Sequence, residues 1–158
     1  MSNFFEFSVD ELLPHAQPMI LIDKIIKCDN CVIESEVCVN QNKLFVDEDS
    51  NIPIWVGIEY MAQTVAAFIG YQAKNKAEAI KIGFLLGTRK FLAHKTSFKK
   101  NSSYRIEANH LFDDQGLGSF DCKIVDINNN TIFCEAKINA YQPDDIKSYL
   151  ANLESEKK

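Results

Sequence analysis

The chain has 158 residues, 46% hydrophobic and 25% charged, with a formal net charge of −5. That length suits one domain with a core of its own, and the acidic balance excludes an electrostatic nucleic-acid surface. The N-terminus, MSNFFEFSVDELLPH, has no basic region and no long apolar run, and the cysteines number five. An odd count behind no export signal reads as reduced thiols in a cytoplasmic protein.

Ser8 is expected to cap a short helix, with Glu11 three residues on to close a capping box. Pro14 ends that helix, and His15 follows in a loop bounded by Pro14 and Pro18. Met19–Lys27 (MILIDKIIK) is predicted as a strand, Cys28–Cys31 as its turn, and the alternating Val32–Asn40 as the returning strand of a hairpin. Gln41–Asn51 is a polar connection that carries Leu44, Phe45 and Val46.

Pro53–Ala73 (PIWVGIEYMAQTVAAFIGYQA) contains a single charged residue, Glu59. Its apolar residues run nearly all the way round a helix, which marks a buried element. The stretch is about as long as a bilayer span. Glu59, Gln63 and the lack of basic flanks instead predict a helix wrapped by the rest of the domain, with no membrane span. Ser50 or Asn51 is expected to cap it, and Pro53 fits its first turn.

Lys74–Lys81 is a charged exit, and Ile82–Leu92 reads as a strand with Gly87 inside it. A strand glycine signals a bulge or a close approach of backbone or ligand. Phe98–Asn101 is a turn. Ser103–Asp113, Ser119–Ile127 and Thr131–Tyr141 are predicted strands separated by Gly- and Asn-rich turns. Pro143 breaks the last one, and Asp144 opens a short C-terminal helix, 144–155. A hairpin, one long apolar helix and a run of antiparallel strands predict an α+β fold in which a sheet wraps a helix. The expectation is a single domain over 1–158 with its core at about 8–142. Another α+β sandwich satisfies the same pattern.

Glu59 has two readings. Burial raises a carboxyl pKa, by up to ~3–5 units when complete, which suits a general acid; alternatively, it sits near a helix start and faces solvent. Gln63, one turn on, shares its face and either holds that carboxyl or the substrate or is a core amide. Cys28 and Cys31 have no second pair to complete a zinc site, so no metal is expected.

Three segments together resemble a known family. Leu13-Pro14-His15 followed by Pro18-Met19-Ile20-Leu21-Ile22-Asp23-Lys24-Ile25 is similar to the opening of the 3-hydroxyacyl-ACP dehydratases of the FabA/FabZ type. Glu59-Tyr60-Met61-Ala62-Gln63 resembles the EALAQ of that family's central helix, and Gly83–Phe91 its following strand. One departure matters: where that family carries the histidine of an HFPG motif, its spacing lands on Phe45. Together with the PHAxPM opening, this is more similar to the ApeP-like dehydratases of aryl-polyene clusters.

The resemblance implies a hotdog fold and dehydration of a 3-hydroxyacyl thioester carried on the phosphopantetheine of an acyl carrier protein, with no cofactor. It implies a dimer, homodimeric or paired with another hotdog protein, whose site joins Glu59 of one chain to loop residues of the other. In this chemistry Glu59 is the acid, and an imidazole is the base. His15 is the candidate base, against a role as an ordinary loop histidine; His94 is the next choice. The amide of Gly57 or Ile58 faces the thioester oxygen, Gln63 touches carboxyl or substrate, and Gly87 lines an acyl tunnel. A hotdog acyl thioesterase and a catalytically weak subunit of a hetero-oligomeric dehydratase are the alternatives.

Overall fold

The computed structural model describes residues 5–78, 84–143 and 145–156. Helix α1 (Val9–Leu12) starts as expected: the Glu11 carboxylate accepts the Ser8 N–H at 2.7 Å. Strands β1 (Lys24–Cys28) and β2 (Val32–Cys38) form the hairpin. β1 is shorter than the predicted Met19–Lys27, because Met19–Ile22 is irregular backbone. The Leu21 N–H goes to the side chain of Gln63 and not to a strand partner. Leu21 and Ile22 are buried all the same, so their apolar character reflects burial without pairing.

The connection that follows is tied back to the hairpin. Asp23 accepts the Cys38 N–H at 2.7 Å and pairs with Lys43. Strand β3 (Ile52–Pro53) then pairs with β5 (Ser97–Phe98) in a small ribbon. Extended backbone at Ile52–Pro53 prevents Ser50 or Asn51 from capping the helix. The Asn51 side-chain oxygen accepts the Lys100 N–H at 2.9 Å instead. A 3-10 turn, Ile54–Val56, leads into α2 (Gly57–Asn75).

Strands β4 (Phe84–Ala93), β6 (Ser103–Asp114), β7 (Leu117–Asp126) and β8 (Ile132–Tyr141) complete a six-stranded antiparallel sheet, ordered β1-β2-β6-β7-β8-β4. Helix α3 (Ile146–Glu156) ends the described chain. Ile82 and Gly83, at the start of one predicted strand, and Asp144, the expected cap of the last helix, lie outside the described residues.

The sheet curls around α2. Tyr104, Ile106 and Ala108 alternate inward from β6 and meet Tyr60, Met61, Val65 and Phe68 of the helix, all buried. Each large side chain so buried contributes about 1.5–3 kcal/mol. Two glycines set how close the helix lies. A Cβ at Gly57 would stand 2.9 Å from Cys134 Sγ, and one at Gly70 would stand 2.1 Å from the Leu12 carbonyl oxygen. Ser35 and Thr64, both fully buried, satisfy each other at 2.7 Å, and Thr64 Oγ1 donates on to the Tyr60 carbonyl. Ile58, Ala62, Ala66 and Ile69 remain a half-buried stripe, so the helix is covered on most sides but not on all. Among the described residues no helix is long and apolar enough to cross a membrane.

Candidate active site

Glu59 stands in the first turn of α2 and is half-buried. Gln63, one turn on, is fully buried, and its amide makes three contacts. Its Nε2 donates to Glu59 Oε1 at 3.2 Å and to the Met19 carbonyl at 2.7 Å. Its Oε1 accepts the Leu21 N–H at 2.8 Å. Gln63 is thus a buried amide within hydrogen-bond distance of the Glu59 carboxyl. It also clamps the Met19–Leu21 backbone against the helix.

That backbone continues the loop that bears His15. His15 itself is exposed, and no hydrogen bond or ion pair joins it to Glu59; the connection runs through Gln63 and Met19. His94 lies elsewhere, just past the end of the strand that closes at Ala93: its Nε2 is 2.8 Å from Glu135 Oε2, an exposed pair. His110 lies farther along α2, beside Phe68.

Gly57 departs from expectation. It is buried, its missing Cβ faces Cys134, Phe98 and Ile124, and its N–H is engaged by the Ile54 and Trp55 carbonyls. Its amide is thus spent within the turn and is not presented to a thioester. Ile58 is half-buried in the same turn as Glu59. Gly87 sits at a break in the β4–β8 register, and a Cβ there would meet nothing within 4 Å. It is a bulge glycine beside open space.

Phe45 shows a feature that the sequence could not. Its φ is 70°, a left-handed conformation that is strained for a bulky side chain. Its ring packs edge-on against Trp55 at 5.9 Å, and both rings are more than two-fifths exposed, Phe45 44% and Trp55 58%. Met19 and Leu44 are exposed at the same end of the helix. The thiols are quiet by comparison. Burial, helped by Asp29, pushes Cys28 up to about 12, and burial with Glu135 does the same for Cys134. Among the described residues no group of three or more His, Cys, Asp or Glu is placed to hold a metal ion.

A six-stranded antiparallel sheet wrapped around a long helix is the hotdog arrangement. Solved structures agree on the fold. One hotdog relative, a hypothetical thioesterase with coenzyme A from Streptococcus pneumoniae, superposes with a TM-score of 0.60 over 77% of this chain and 88% of its own, at 12% identity. The dehydratase heterocomplex ApeI:P from Xenorhabdus doucetiae superposes with a TM-score of 0.86 over 94% of this chain and 98% of the other, at 31% identity. A curated 3-hydroxyacyl-[acyl-carrier-protein] dehydratase FabZ from Chlamydia muridarum is 32% identical over 89 residues, 52% of this chain and 57% of that protein. The chain therefore spans little more than half the length of that relative. The sequence model of the ApeP-like family, described as ApeP dehydratase, matches residues 7–151. The chain belongs to the ApeP-like family of dehydratases.

Proposed function

We propose that this chain, a hydro-lyase by family, dehydrates 3-hydroxyacyl thioesters to trans-2-enoyl thioesters in fatty-acid or polyene biosynthesis. The observation that carries this reading is the Gln63 clamp, which ties Glu59 to the loop of His15 through one buried amide. In the proposed step His15 takes the α-proton, and the electron pair forms the new double bond. The β-carbon–oxygen bond breaks, and the hydroxyl leaves as water with a proton from Glu59. Ile58 supplies the amide for charge on the thioester oxygen, and the open space beside Gly87 takes part of the acyl chain. The substrate arrives on the phosphopantetheine of an acyl carrier protein.

The working unit is a hotdog dimer of single-domain chains in the cytoplasm. Its support is the open β4 edge together with Met19, Leu44, Phe45 and Trp55, an apolar group exposed around the helix start. A second reading has its own observation: Phe45 holds the position that the resemblance gives to histidine, and the Xenorhabdus doucetiae assembly is a heterocomplex. On that reading this chain completes a partner hotdog protein's site. Both are tested by following enoyl formation from a 3-hydroxyacyl carrier-protein substrate. Turnover by the chain alone supports the leading reading. Turnover only after a second hotdog protein is added supports the other. Release of free thiol without enoyl product marks a thioesterase and defeats both.

A further inference from the structure

The outer face of the sheet carries its charges in rungs, and the rungs run out at β4. Lys123 of β7 stands between Glu107 of β6 and Glu135 of β8, with its Nζ 3.2 Å from Glu107 Oε2. One rung on, Lys137 stands opposite Asp121, with its Nζ 3.9 Å from Oδ1, and on its other side opposite Arg89. Arg89 therefore has a cation on one side and the sheet edge on the other, and like charges directly opposite destabilise a strand pair. Lys90 follows where the β4–β8 register slips, with a φ of 55°. Both side chains are exposed, and neither makes an ion pair among the described residues. No described strand pairs with the other edge of β4. The strand, FLLGTRKFLA, contains no acidic residue.

A basic, bulged edge strand is guarded against indiscriminate pairing, and the guard bears on which chain the edge accepts. A second copy would bring its own β4 alongside. In no register does that strand set a carboxylate opposite Arg89 or Lys90. Pairing about a twofold axis instead gathers Arg89 and Lys90 of both copies along one seam. A negative charge beside Arg89 does the reverse, because it continues the alternation of Asp121 and Lys137 past the edge. We propose, resting on the dimer reading above, that β4 pairs antiparallel with the edge strand of a different hotdog chain. That chain sets a carboxylate opposite Arg89, and the cationic edge selects it over a second copy. Arg89 suits the task, since a guanidinium can take a carboxylate through two parallel N–H bonds. Attraction to the acidic edge and repulsion from a second copy add in the discrimination, even where each is small.

The test uses the chain itself as the source of an acidic edge. The full chain carrying Arg89→Glu and Lys90→Glu, both at exposed positions, is mixed in equal amount with tagged wild type. The dimers are counted by native mass spectrometry until their ratio stops changing. Random pairing gives about twice as many mixed dimers as either self-dimer. The expected result is a mixed dimer about tenfold or more in excess of each self-dimer, the sum of several cross-strand charge pairs. The excess should shrink toward the random ratio in 1 M salt, where screening acts within about 3 Å. Arg89→Glu alone should give a smaller excess in the same direction, and Lys100→Glu, an exposed cation outside β4, the random ratio. Dimers at the random ratio with both edge variants would overturn the selection and leave the dimer reading standing. An equal excess with Lys100→Glu would overturn the assignment to β4. Monomers in every mixture would overturn the dimer reading and this inference together.

Discussion

The two ends of α2 each hold a polar side chain among apolar neighbours and treat it in opposite ways. At the start, Gln63 uses both halves of its amide, on Glu59, Met19 and Leu21. Farther along, His110 has a buried nitrogen with no hydrogen bond, and Asp113 Oδ1 stands 3.0 Å from it. A satisfied buried network rigidifies and holds aim; an unsatisfied one costs about 1–3 kcal/mol until something pairs with it. The start of the helix is therefore built as a fixed site, and the far end as a vacancy in the hydrogen bonding.

Breaking the fixed end at its proposed acid should have the largest effect. Glu59→Gln keeps size and polarity and cannot give a proton to the leaving hydroxyl, so turnover should fall by ~10²–10⁴-fold in a folded protein. Near-normal turnover by the folded variant would remove Glu59 from the chemistry. His15→Ala should lose a similar ~10²–10⁴-fold, with unfolding free energy within about 1–2 kcal/mol of wild type, because its side chain is exposed. Proton exchange at the α-carbon in deuterated water should fall with it. If His94→Ala is inactive and His15→Ala is not, the base has been misassigned.

Removing the clamp tests how the first end is held. Gln63→Leu leaves the Leu21 N–H and Met19 carbonyl without their partner, so denaturant unfolding should show a loss of about 2–4 kcal/mol. Activity should fall further than the lost folded fraction accounts for. An unchanged midpoint would mean that water replaces the amide. The smallest effect belongs to the other end: His110→Phe replaces an unpaired polar ring with an apolar one and should raise stability by up to about 1 kcal/mol. A clear loss would show that the imidazole is satisfied after all, and the contrast between the two ends would fail.

Much of this contrast was legible at the level of single residues. Glu59 stood out as the one charge in an apolar helix, and Gln63 followed from the four-residue spacing. Val32–Cys38 announced itself by alternation, and the longer strands after α2 by apolar runs between turn residues. What stayed hidden depended on long-range pairing. Ile52–Pro53 and Ser97–Phe98 are two-residue strands without periodicity of their own, so the delayed start of α2 could not be foreseen. Met19–Ile22 has the composition of a strand, but its key N–H is claimed by a side chain 42 residues away. The vacancy at His110 needed Phe68 and Phe120, which no local pattern joins to it. One signal was there to be used: His110 continues the inward period of Tyr104, Ile106 and Ala108.

The Gln63 clamp has a consequence for how this end of the molecule breathes. Leu21 lies in a stretch with no regular secondary structure, where amides ordinarily trade their protons with solvent quickly. Its N–H is buried beneath a bond of 2.8 Å, so it should exchange on the timescale of the sheet. It can do so only when the loop lifts from α2. That single amide proton is then a clock for the opening of the helix start, ticking in a segment that otherwise keeps no time.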